Sequence, residues 1–185
     1  MKKIITSLSL FAACLAYSQG STLIINNYSL AYDFHGNIQA LNVAGGCYPI
    51  ISSNNPDMVV VPADSNEING LHLEYKNYRD QFGTSLYPMA AWNVSLSATN
   101  QMPRAWNHPS LLPGGVISNN TKWVGSKFQM YHKGTNNPET FFNGNLGADV
   151  APCITNDSYI TTPYGDAEWF TITSGGNNYT YIQIF

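Results

Sequence analysis

Apolar residues in this chain recur at every second position over short runs, and almost nowhere at the spacing of a helix face. Between the runs stand clusters of Asn, Gly, Pro and Ser, the residues that close turns. The alternation predicts strands over residues 22–28, 30–34, 37–43, 58–61, 70–75, 92–98, 122–132, 159–162, 168–173 and 179–185. Turns are expected at His35-Gly36-Asn37, Asn54-Asn55-Pro56, Pro113-Gly114-Gly115, Asn136-Asn137-Pro138 and Gly175-Gly176-Asn177. The fold class that follows is all-β: a single-domain antiparallel β-sandwich, or a partly closed barrel, with long Asn/Gly/Pro-rich loops.

The end of the chain, EWFTITSGGNNYTYIQIF, shows the pattern most clearly. It reads as a hairpin in which Phe170, Ile172, Ile182 and Ile184 form an aliphatic core face. Trp169, Thr171, Thr173, Tyr179, Tyr181 and Gln183 form a second face, aromatic and polar. With Phe185 within a strand, the terminus is expected to be docked.

Composition narrows the setting. Residues 1–18, MKKIITSLSLFAACLAYS, place Lys2 and Lys3 before an apolar run and end on Ala16-Tyr17-Ser18, the pattern of a cleaved secretory leader. Its apolar run is shorter than the ~20 residues a bilayer span needs. Phe11-Ala12-Ala13-Cys14 resembles a bacterial lipobox, which makes a lipoprotein anchored through Cys14 the alternative to an exported, secreted or periplasmic protein. Cleavage after Ser18 leaves residues 19–185 as one domain. Lys2 and Lys3 leave with the leader, so six basic residues face eleven acidic ones, a formal charge of −5. No basic cluster remains to hold a phosphate backbone, which argues against nucleic acid as a partner. Charged residues make up 10% of the chain and aromatics 13%, the balance of a folded domain and not of a disordered one.

Cysteine usage agrees with export. Cys14 belongs to the leader, and the two that remain, Cys47 and Cys153, are expected to pair. Such a bridge closes a loop of about 105 residues, which the chain-entropy model credits with roughly 4–5 kcal/mol.

Candidate chemistry then rests on aromatics. Trp92, on one face with Val94 and Leu96, is expected in the core. In KWVGSKFQMYH, Val124, Phe128 and Met130 share one face while Trp123, Lys127, Gln129 and Tyr131 share the other. Aromatic rings beside hydroxyls and amides suit a carbohydrate, because rings stack on the apolar faces of sugars and polar neighbours bind hydroxyls. The candidate ligand-binding residues are therefore Trp123, Tyr131, Trp169, Tyr179 and Tyr181. Trp106, in a Pro-interrupted loop with Arg104 and His108, is a further contributor.

Other constellations are thinner. Asp33 with His35 and His72 with Glu74 place an imidazole and a carboxylate on one strand face; two such pairs meeting could hold zinc or act as acid and base. Asp149, Asp157 and Asp166 offer oxygen donors for a structural calcium. No cofactor and no catalytic residue is assigned, since the chain carries no G-x-S-x-G, H-E-x-x-H, Walker or dinucleotide signature. The leading expectation is a secreted, non-enzymatic binding module for a glycan or cell-surface ligand. A membrane-active sandwich is the alternative, since STLIINNYSLAYDF resembles the first strands of small pore-forming sandwiches. A hydrolase using His72 and Glu74 is the third reading.

Overall fold

The strand β1 (Thr22–Asn27) is buried at all six positions, as expected of a strand covered on both sides by its neighbours. It is the first of the strands in a computed structural model that describes residues 21–42, 45–54, 59–80 and 88–185; the predicted leader lies outside them. The others are β2 (Tyr32–Asn42), β3 (Cys47–Ser53), β4 (Val59–Val61), β5 (Leu73–Lys76), β6 (Arg79–Asp80) and β7 (Ala91–Ser97). They continue with β8 (Asn100–Ala105), β9 (Lys122–His132), β10 (Pro138–Gly147), β11 (Tyr159–Thr162), β12 (Gly165–Ser174) and β13 (Asn177–Ile184).

Two sheets form. The first has the order β11-β12-β13-β1-β5-β6; the second runs β10-β9-β2-β3-β7-β8, with β4 paired to the first half of β2. Their facing sides enclose one core, so the architecture is the sandwich and not the barrel. All ladders are antiparallel except β1 with β13, which run parallel from Thr22↔Tyr179 to Asn27↔Ile184.

At one end of the core Tyr75, Tyr78, Trp92 and Trp123 interlock, with ring centroids 5.3–6.2 Å apart. The Trp92 indole N–H donates to Tyr78 O at 2.8 Å, which removes the cost of burying it. At the other end Phe34 stacks on Phe128, and Phe142 meets Phe128 edge-on.

Asn27, fully buried, ties the sheets together. Its side-chain amide donates to the carbonyls of Tyr32, Val61 and Pro62, and its Oδ1 accepts from Ser29 N–H. The expected bridge is present: Cys47 and Cys153 are joined with Cα atoms 5.5 Å apart. It links the start of β3 to the segment leading into β11, and so one sheet to the approach of the other. The chain enters it through Gly46 and Cys47, both at positive φ (74° and 64°).

Several expectations require correction. Gly36 is no turn: β2 runs unbroken through it, paired with Phe128, and the position needs glycine because the Phe34 ring and Ser126 Oγ fill the space a Cβ would take. Pro103 does not exclude regular structure either. It sits in β8, an edge strand, where the missing N–H costs no ladder bond. Two other outer strands are also short or irregular: β11 has four residues, and β10 begins on Pro138 and breaks register before Asn143.

Candidate functional site

The terminal hairpin has the turn expected, but the turn fixes a different pairing. Gly175 and Gly176, at φ 59° and 82°, close a two-residue loop that sets Ser174 opposite Asn177. Trp169 therefore lies across from Ile182, and Phe170 across from Tyr181. Directly opposed residues share a face. Trp169 consequently joins Ile182 and Ile184 in the core at 5% exposure, while Phe170 and Ile172 turn to the outer face.

A second correction concerns Trp123. The register between β2 and β9 slips at this point: Gln39 opposes Gly125, but Ala40 opposes Trp123, leaving Val124 as the extra residue of a bulge. Beyond the bulge the alternation is inverted. Trp123 thus points inward with Phe128 and Met130, and its indole N–H donates to Ser21 O at 3.2 Å. Trp123 and Trp169, both expected on a binding sheet face, are core residues.

What remains is an outer face on the first sheet, laid out by register. One row across four strands reads Phe170, Tyr181, Ile24, Glu74. A second reads Tyr159, Glu168, Gln183, Asn26; a third reads Ile172, Tyr179, Thr22, Lys76. Phe170 and Tyr181 stack with centroids 5.0 Å apart and planes within 13°. Both are half-buried, each with one ring face supported by the other. Beside them Ile172 and Tyr159 are about half exposed, at 49% and 53%.

Polar groups frame the rings. The loop 62–72 reaches the sheet through Glu67, whose backbone N–H donates to Asn26 Oδ1 at 2.8 Å while its carboxylate accepts from Asn26 Nδ2 at 3.3 Å. Glu74 pairs with Lys76 at 3.6 Å. Burial holds the Tyr181 hydroxyl above its ordinary range, reinforced by the charges of Glu67 and Glu74, so the phenol stays a hydrogen-bond donor. The Tyr159 hydroxyl is held up chiefly by its hydrogen bond to the Asp166 carboxylate.

The other candidates are dispersed. Tyr131 lies on the outer side of the second sheet, against His35 at 4.2 Å, and so on the opposite side of the sandwich from Tyr179 and Tyr181. Trp106 is half-buried against the core with the Arg79 guanidinium 5.0 Å above its ring. His108 and Arg104 pin their loop from within: both reach Ser110 Oγ, at 2.8 and 2.6 Å. Asp33 and His35 belong to β2 of the second sheet, Glu74 to β5 of the first and His72 to the connection just before β5, so the two pairs do not meet. Asp33 is occupied by the N–H groups of Ala63 and Gly134. Among the described residues no three His, Cys, Asp or Glu side chains gather in a way that could hold a metal, and Asp149, Asp157 and Asp166 are no exception. No helix among them is long and apolar enough to cross a membrane.

Of the residues on or beside this outer face, the sequence pattern placed Tyr179 and Tyr181 there and did not place Phe170, Ile172, Tyr159 or Glu67. The length of the Gly-Gly turn was the available signal, because it alone decides which residues of the hairpin share a side. No known protein family, curated protein or solved structure matches this chain.

Proposed function

We propose that this protein is a binding module for a glycan or cell-surface component, using the outer face of β12 and β13. The stacked Phe170–Tyr181 pair carries the reading: two half-buried rings packed face to face on the outer side of the sheet, with Gln183, Glu168 and the Tyr181 hydroxyl beside them. Such a platform offers an apolar surface to a sugar ring and donors and acceptors to its hydroxyls. The disulfide is consistent with an extracellular or periplasmic setting, where such ligands occur.

The test is affinity electrophoresis or pulldown with a panel of polysaccharides. The double variant Phe170→Ala/Tyr181→Ala is expected to weaken binding about tenfold or more, as loss of some 1–2 kcal/mol of ring contact would. Binding that survives in a folded double variant would overturn the assignment.

A membrane-active role has its own support. Leu30, Ile68, Leu71, Phe141, Tyr164 and Phe185, each between 42% and 87% exposed, project from the end of the sandwich where β1 and β13 finish. Phe141 stacks on Tyr164 there, and Phe185 on Tyr28. Liposome flotation and dye leakage separate this reading from the first; absence of both removes it.

A further inference from the structure

Resting on the glycan reading of this face, we propose that its preferred ligand class is an amino-sugar polymer bearing free ammonium groups. The argument is the position of charge around the rings. Glu74 occupies the same row as Phe170 and Tyr181, two strands beyond Tyr181, which places it about 10 Å away across the sheet. Glu168 lies two residues along β12 from Phe170, about 7 Å away on the same face. Glu67 is fastened to Asn26 in the neighbouring row. A sugar packed against the exposed side of the Phe170–Tyr181 pair therefore has carboxylates within reach of its neighbours along the polymer.

Lys76 is the cation on this face closest to the row, and it is already engaged with Glu74. The local balance is negative. Ammonium groups would meet carboxylate acceptors and the faces of the rings, both of which attract cations. Uronic acid or sulfated polymers would meet like charge. The acidic excess of the whole chain acts in the same direction at long range.

The experiment compares the full chain against a fully deacetylated β-1,4-glucosamine oligomer, its N-acetylated counterpart, a neutral glucose oligomer of equal length and a polyuronate, by calorimetry at low and moderate salt. The expected result is about tenfold tighter binding of the deacetylated oligomer, lost with Glu67→Gln/Glu74→Gln/Glu168→Gln, while the triple variant keeps any weaker binding of the acetylated oligomer. Phe170→Ala/Tyr181→Ala is expected to lose both. Equal affinity for the deacetylated, acetylated and neutral oligomers, with loss in the ring variant, would overturn the charge preference and leave the glycan face standing. Binding of the deacetylated oligomer that ignores the ring variant would overturn the face itself. Preference for the polyuronate, or no binding of the deacetylated oligomer, would also overturn the proposal.

Discussion

Asn27 shows how a polar residue becomes structural when it is buried. Its amide satisfies carbonyls at the start of β2 and at the end of β4, so one side chain of the first sheet holds the backbone of the second. Truncation strands those acceptors in a dry site. Asn27→Ala is expected to cost about 1–3 kcal/mol in urea unfolding. His35 exerts its influence through pH. Burial lowers its pKa below the ordinary 6.5, with the Asp33 charge opposing in part. The unfolded chain therefore takes up this proton first as pH falls, so stability is complete above about 6.5 and is lost as pH drops through the lowered folded value. His35→Gln should lose less melting temperature than the parent between about pH 7.5 and about pH 5. An equal loss in both would remove His35 from the acid response.

Within the element β9 a single extra residue separates two roles. Ahead of the Val124 bulge Trp123 fills the core; beyond it Tyr131 faces out against His35. Trp123→Ala is expected to destabilise by about 3–5 kcal/mol, whereas Tyr131→Ala on the same strand should cost no more than about 1 kcal/mol. Chemical denaturation of the two variants decides it. The same strand shows what the sequence could disclose. Its limits, residues 122–132, were legible from alternation and β-branched and aromatic content, as were those of β11 and, to within one residue, β1. Its facing was not, because a bulge inverts the alternation without leaving a mark in the residue types. The strands β3, β8 and β10 escaped notice for a related reason. Each carries Pro or Gly that reads as a break, yet β8 and β10 lie at sheet edges, where such residues are tolerated. In the hairpin the residues of the candidate face were visible, but choosing between Trp169 and Phe170 required the turn length.

At the scale of the molecule, the Cys47–Cys153 bridge spans 106 positions and joins the two halves of the sandwich. Cys47→Ser/Cys153→Ser is expected to lose about 2–5 kcal/mol and roughly 5–15 °C of melting temperature, read by calorimetry against the oxidised parent. An unchanged melting temperature would mean that packing alone sets the stability. The outer strands bear on how the molecule behaves at high local density. A ligand with many repeats would gather many copies side by side, a situation in which bare strand edges recruit one another into growing ribbons. Here the four-residue β11, Pro103 in β8 and the broken register of β10 deny a visitor long runs of free backbone groups along these edges. If the proposed polymer ligand crowds many copies together, the described edges offer little for one domain to template on its neighbour, and the copies should stay separate molecules.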